Sequence, residues 1–177
     1  MPDEAGPIDH VVVPGTFDPV TYGHLDVIRR ATRIAPEVTV AVAVSRDKRG
    51  SARAFTLDER VAMVREAVGE LGIGDVRVMA MDGLLVDFCR RIGAGAVVKG
   101  LRATTDFEYE LAQADLNVRM SPDLESIYVM SNPEYGYVSS SIVREIAALG
   151  GDVSLLVPPC VERRLKRRFS GGDVGIL

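Results

Sequence analysis

The stretch Val11-Val12-Val13-Pro14-Gly15-Thr16-Phe17-Asp18-Pro19-Val20-Thr21-Tyr22-Gly23-His24-Leu25-Asp26 decides how the rest of the chain reads. Three consecutive β-branched residues suit a buried strand. Pro14-Gly15 is a strong chain breaker, and Pro19 keeps the following residues out of helix. Gly23-His24 then opens an amphipathic run. The pattern is strand, irregular loop, helix. In open α/β sheets that junction lies beyond the carboxyl end of a strand, where ligands bind. The loop carries Thr16, Thr21 and His24 beside a helix N-terminus, whose unpaired N–H groups favour anions. The same residues also allow a plain turn with a capping threonine and a surface histidine, so the rest of the chain has to choose.

The chain has 177 residues, enough for one domain with a sizeable core. Hydrophobic residues make up 47% and the formal net charge is -4, which implies no general affinity for nucleic acid. An anionic ligand must therefore be met by local cations. The two cysteines, Cys89 and Cys160, are too few for a disulfide scaffold or a zinc site and fit a reducing compartment. The acidic start, Met1-Pro2-Asp3-Glu4, does not read as a signal peptide, and no apolar run is long enough to span a membrane. The expectation is a soluble cytoplasmic protein.

Strand candidates recur at Val11 to Val13, Val38 to Val44, Val76 to Met79, Ala96 to Val98 and Ser126 to Met130, with helical patterns between them. This alternation predicts an α/β fold, a doubly wound and mainly parallel sheet covered on both faces. The almost wholly apolar Val38 to Val44 fits a central strand. The first helix is expected from Gly23 to Ile34. The second starts at the capping box Thr56-Leu57-Asp58-Glu59. Between Val44 and that box, Ser45 to Ala54 is polar and basic, a solvated loop or an arm bringing Lys48 or Arg49 to an anion. Leu84 and Leu85 precede a helix ending near Ile92, as helix core or as an apolar pocket wall.

Ala96-Val97-Val98-Lys99-Gly100-Leu101-Arg102 is the second informative stretch: a short strand ending in Lys99, a glycine and Arg102. Two cations at the end of a buried strand need partners, and phosphate is the favoured one. A capping box at Thr105-Asp106-Phe107-Glu108 begins the next helix. One of its faces carries Phe107, Leu111, Ala114 and Val118, and another carries Tyr109, Leu116 and Met120. Two apolar faces predict burial on two sides, against the domain and against another subunit. After Ser126 to Met130, the segment Ser131 to Val138 leads to Ser139-Ser140-Ser141, which open a helix to Leu149. Serines there can cap the helix, but three in a row after Gly136 favour contact with phosphate. Gly150-Gly151 stops that helix, and Pro158-Pro159 opens a last, basic one from Cys160 to Phe169. Residues 1–169 read as one domain and 170–177 as a disordered tail.

There is no G-x-x-x-x-G-K-[ST] loop, Gly93-Ala94-Gly95 does not complete a dinucleotide fingerprint, and no Cys is matched with a His base. Thr21-Tyr22-Gly23-His24 fits the [HT]-x-G-H signature of the nucleotidyltransferase superfamily. It is preceded by Pro14-Gly15-Thr16-Phe17-Asp18-Pro19. Lys99-Gly100-Leu101-Arg102, Asp106-Phe107-Glu108-Tyr109-Glu110 and Val138-Ser139-Ser140-Ser141 follow. With these, the chain from Val11 to Phe169 closely resembles the pantetheine-phosphate adenylyltransferase family of coenzyme A synthesis.

The resemblance implies a Rossmann-like nucleotidylyltransferase fold. It also implies transfer of AMP from ATP to 4′-phosphopantetheine by direct in-line attack, with Mg2+ accompanying ATP and no covalent intermediate. Carried over, His24 is the transition-state stabiliser, with Thr16 and Lys48 beside it as catalytic residues. ATP contacts fall to Thr16, Phe17, His24, Gly100, Leu101, Arg102, Glu110, Tyr135, Gly136, Tyr137, Val138, Ser139, Ser140 and Ser141. Thr16, Lys48, Leu85 and Lys99 hold the acceptor. A homohexamer and feedback by coenzyme A are implied as well. Many members carry Arg where this chain has Lys99, which keeps the charge and loses the bidentate fork. Other small nucleotidyltransferases (cytidylyl or nicotinamide-mononucleotide adenylyl transfer), or a non-catalytic nucleotide-binding protein, are the alternatives.

Overall fold

A computed structural model of the chain describes residues 7–44, 53–102 and 104–170. These contain five strands: β1 (His10–Gly15), β2 (Glu37–Ala43), β3 (Arg77–Met81), β4 (Ala96–Leu101) and β5 (Glu125–Met130). The helices are α1 (Tyr22–Ala31), α2 (Leu57–Glu70), α3 (Leu85–Ile92), α4 (Thr104–Met120), α5 (Ser140–Ala148) and α6 (Pro159–Phe169). Every strand pair is parallel and the order is β3-β2-β1-β4-β5, so the sheet is doubly wound as its sequence alternation predicts. Lys48 and its loop, and the tail beyond residue 170, lie outside the described residues. Among the described residues no helix is long and apolar enough to cross a membrane.

The strand ends correct two expectations. Pro14-Gly15 does not break the strand but completes it. β1 stays in register with β2 through Pro14↔Ala41 and Gly15↔Val42. Its pairing with β4 covers only Val11↔Ala96 and Val12↔Val97. A proline cannot donate to a ladder, and Pro14 stands where the ladder toward β4 has already ended. β4 likewise continues through Lys99 and Gly100 to Leu101, held by β5 at Lys99↔Tyr128 and Leu101↔Met130. At α4 the helix begins at Thr104, so Thr105 lies within its first turn rather than at its cap.

Alternation along the strands sends side chains to two cores. Val11, Val13, Val40, Val42 and Val98 join the larger one, with α1, α2, α5 and α6 supplying Ile28, Val64, Val143 and Leu165. Val12, Ala41 and Val97 face the smaller one, with Val86, Phe88 and Cys89 of α3. Each fully buried Val, Leu or Ile contributes about 1.5–3 kcal/mol. The capping box predicted at Thr56 is present: the Thr56 hydroxyl accepts the Glu59 N–H while the Glu59 side chain accepts the Thr56 N–H. α4 is different. It leaves Phe107, Leu111, Leu116, Val118 and Met120 exposed.

Gly100 sets how closely α1 approaches β4. A Cβ there would stand 2.7 Å from Cγ2 of Val27, a buried and stiff β-branched residue of α1. Gly100→Ala is therefore expected to cost about 1–3 kcal/mol. In the Gly100→Ala/Val27→Ala double variant the costs should fall well short of additive, because the second change removes the clash. Urea unfolding of the four proteins measures this. Strict additivity would show that the contact does not set the spacing.

Candidate active site

Because β1 and β4 part after two paired residues, a crevice opens between their carboxyl ends. It is a cavity of about 530 Å³ lined by several elements. Val13 to Phe17 come from β1 and the loop after it. Thr21, Gly23, His24 and Val27 come from the start of α1. Val98, Lys99, Gly100 and Arg102 come from β4 and its end, with Glu110 and Gln113 of α4 above. Ser131, Val138, Ser139 and Ser140 close the side toward α5, and Ala43, Met81 and Leu85 complete the wall.

The histidine is fixed by a helix cap. Thr21 is the N-cap of α1 and His24 its N3 residue. The Thr21 N–H donates to His24 Nδ1 at 3.1 Å, and the His24 N–H donates to Thr21 Oγ1 at 3.4 Å. This is a capping box with histidine in the place usually held by Glu or Gln. An Nδ1 that accepts leaves the ring proton on Nε2, at the far edge of the imidazole. Burial, helped by the charge of Arg102, lowers the His24 pKa from 6.5 to about 4. Near neutral pH the ring is a neutral donor with fixed orientation.

The loop between β1 and α1 is shaped by Phe17, whose φ of 50° lies in a region that side-chain-bearing residues seldom occupy. The buried ring folds back over Gly15, where a Cβ would come within 2.7 Å of it. It meets the His24 ring edge-on at 5.1 Å. Asp18, which is buried, accepts the N–H groups of Ala54 and Phe55 at 3.2 and 3.0 Å and lies 3.7 Å from Arg144. Arg144 also donates to the Asp18 carbonyl. Arg60 donates to the carbonyls of Thr16 and Ala43 at 2.6 and 2.9 Å.

The cations are already engaged. Lys99 Nζ donates to Glu110 Oε2 at 2.6 Å and to Gln113 Oε1 at 3.2 Å. Arg102 donates to the Val138 carbonyl at 3.0 Å. Of the three serines, Ser139 caps α5 by accepting the Ile142 N–H at 3.2 Å, and Ser140 donates to the Pro19 carbonyl at 2.8 Å. The α5 start thereby braces the β1–α1 loop.

Thr16, Phe17, His24, Leu85, Lys99, Gly100, Arg102, Glu110, Val138, Ser139 and Ser140 thus meet at one cavity. Leu101, Tyr135, Gly136, Tyr137 and Ser141 are not among its lining. Tyr135 instead stacks on Tyr22 with ring centroids 6.0 Å apart. Sequence reading missed Asp18, Arg60, Gln113 and Arg144. For Arg60 a signal was present: it falls three residues after Leu57 and four before Val64, on the apolar side of the helix.

The chemistry open to this arrangement is anion binding and charge stabilisation. Burial pushes the Cys89 and Cys160 thiols up to about 11 and about 12, so neither is a ready thiolate. Among the described residues no group of three or more His, Cys, Asp and Glu could hold a metal ion. Cations and hydroxyls line the cavity, which do not fit a resident metal centre but do fit phosphates.

A family model described as cytidylyltransferase-like matches residues 12–146. The chain belongs to the cytidylyltransferase-like family. Among relatives in the family, the phosphopantetheine adenylyltransferase of Thermobifida fusca (strain YX) is 50% identical over 160 residues, 90% of this chain and 94% of that one. A Vibrio parahaemolyticus structure, provisionally assigned as a nicotinate-nucleotide adenylyltransferase, superposes with a TM-score of 0.69 at 15% identity, covering 93% of this chain and 97% of that one. A bifunctional NMN adenylyltransferase/ADP ribose pyrophosphatase from Francisella tularensis gives 0.70 at 16% identity, covering 92% of this chain and 50% of that one. At those identities the likeness is one of fold.

The His24 pKa makes a prediction with a definite sign. As pH falls below 6.5 the unfolded chain takes up a proton before the folded one does. The stability His24 contributes is complete above pH 6.5 and is lost progressively as pH falls toward about 4. NMR titration of its ring protons is expected to give a midpoint near 4. A midpoint near 6.5 would show that the ring is not desolvated.

Proposed function

We propose that the chain transfers the adenylyl group of ATP to 4′-phosphopantetheine, giving dephospho-coenzyme A and pyrophosphate. The observation that carries this reading is the 50% identity, over 90% of the chain, to a protein named phosphopantetheine adenylyltransferase. The cavity supports it chemically, since it gathers donors and cations around a neutral, oriented histidine. We read residues 1–169 as one catalytic unit.

In the proposed reaction an oxygen of the acceptor phosphate attacks the α-phosphorus of ATP. A new P–O bond forms as the bond to the bridging oxygen breaks, and pyrophosphate leaves with the electron pair. No protein nucleophile takes part. The protein's contribution is positioning and charge stabilisation. Nε2–H of His24 donates to phosphate oxygens where negative charge grows. Thr16 stands where the two substrates meet, and Arg102 faces the nucleotide. Lys99 takes the acceptor phosphate, which replaces Glu110 as its acceptor. Leu85 lines the pantetheine arm. Lys48 is proposed as a second hold on the acceptor. Magnesium enters with ATP as part of the substrate, held by phosphate oxygens and water. Coenzyme A, which contains the product, is the proposed feedback ligand.

Purified protein supplied with ATP and magnesium should release pyrophosphate with 4′-phosphopantetheine, and far more slowly with nicotinamide mononucleotide or glycerol 3-phosphate. Preference for either of the latter would replace the acceptor, and release with none would leave a nucleotide-binding protein.

The exposed apolar face of α4 supports a proposed homohexamer in which Phe107, Leu111 and Val118 are covered by another copy. Light scattering at micromolar concentration should give about six chain masses. A monomer would leave that face without the proposed cover.

A further inference from the structure

Arg60 is the largest fully buried side chain described, with no exposed surface. It sits in the first turn of α2, below the cavity floor. One nitrogen of its guanidinium donates to two carbonyls, Thr16 at 2.6 Å and Ala43 at 2.9 Å. Both residues line the cavity, one just beyond β1 and the other at the end of β2. The remaining polar atoms, Nε and Nη2, are buried with no hydrogen-bond partner among the described residues. Asp18 is the acid whose charge acts on Arg60, but its carboxylate already accepts Ala54 and Phe55 N–H groups and faces Arg144. A buried cation in this state is costly to the fold, because no ion pair among the described residues repays its desolvation. Carbonyl oxygens at the ends of parallel strands also present negative charge where phosphates would have to sit. Arg60 donates to two carbonyls there, of Thr16 just beyond β1 and of Ala43 at the end of β2, and sets a positive charge beside them.

We infer that Arg60 is a positioning residue for the transfer reaction: it fixes the Thr16 backbone against β2 from beneath the cavity and supplies a buried positive charge that bound phosphates balance. The inference rests on the transfer reading above. Arg60 touches no substrate in this arrangement. It acts through Thr16, whose placement decides how the attacking oxygen meets the α-phosphorus, and small displacements there are costly to rate. Its charge acts through low-dielectric protein, where it is weakly screened.

Two substitutions separate the parts. Arg60→Lys keeps the charge and loses the reach to two carbonyls. Arg60→Met loses both at similar volume. Steady-state kinetics with ATP and 4′-phosphopantetheine, corrected for folded fraction, should show kcat reduced roughly tenfold in Arg60→Lys with the KM for ATP within about twofold. For Arg60→Met, kcat should fall roughly a hundredfold and the KM for ATP should rise. Saturating ATP should raise the unfolding midpoint of Arg60→Met less than that of the wild type. A lowered unfolding midpoint with kcat per folded molecule unchanged would make Arg60 purely structural and overturn the inference, as would failure of Arg60→Lys to fold. Wild-type protein inactive with phosphopantetheine would instead defeat the transfer reading. The ATP-induced shift then decides the charge role alone, and equal shifts in wild type and Arg60→Met overturn it.

Discussion

β1 and β4 share two paired residues and then separate, and the candidate site exists because of that separation. The helix that follows β1 packs into the larger core, whereas the helix that feeds β4 packs into the smaller one. Two neighbouring strands served from opposite faces leave nothing to cover the space beyond their carboxyl ends. The chain fills the edges of that space with a β1–α1 loop on one side and the end of β4 on the other. Gly100 lets α1 come close enough to β4 for residues of both to reach the same volume. Had β1 and β4 remained zipped to Gly15 and Leu101, Thr16, His24 and Lys99 would have had no common cavity to line.

Charge is distributed unevenly around this crevice. The whole chain carries a formal charge of -4, yet the cavity is lined by Lys99 and Arg102 with Arg60 beneath it. Without substrate each cation is occupied by protein acceptors: Glu110 and Gln113 for Lys99, the Val138 carbonyl for Arg102, and strand-end carbonyls for Arg60. Such a site holds its positive groups in place before a ligand arrives, so less ordering has to accompany binding. In the proposed reaction, the exchange of one acceptor for another at Lys99 also disfavours weakly charged ligands, which cannot replace the Glu110 carboxylate.

Much of this was legible in the sequence, and the gaps have physical causes. Runs of β-branched residues located all five strands, because burial on both faces of a parallel sheet demands such runs. Their ends were misjudged at Pro14-Gly15 and at Lys99-Gly100. There the residue types argued for a break, but pairing on one side alone was enough to continue the strand. The Thr21–His24 box reads as a turn with a nearby histidine until the cap geometry shows that one ring nitrogen is already spoken for. Asp18 and Arg144 could not be paired from sequence, since 126 positions separate them. Arg60 stands in the charged run Asp58-Glu59-Arg60, where only its spacing from Leu57 and Val64 marks it as inward-facing. The serines show the opposite case. Local capping rules described Ser139 well, while the Ser140 contact to Pro19 depends on tertiary placement.

The His24 cap also bears on how this chain can change over evolutionary time. The task of that residue in folding, accepting the Thr21 N–H at the first turn of α1, is one that glutamine or glutamate performs in most helices with such a box. The donor at the other edge of the ring has no such substitute at the same reach. If Nε2–H has the role proposed for it, a single replacement here erases reactivity and leaves architecture intact. On that proposal, position 24 is a natural branching point, where a catalyst becomes a folded, silent protein in one step.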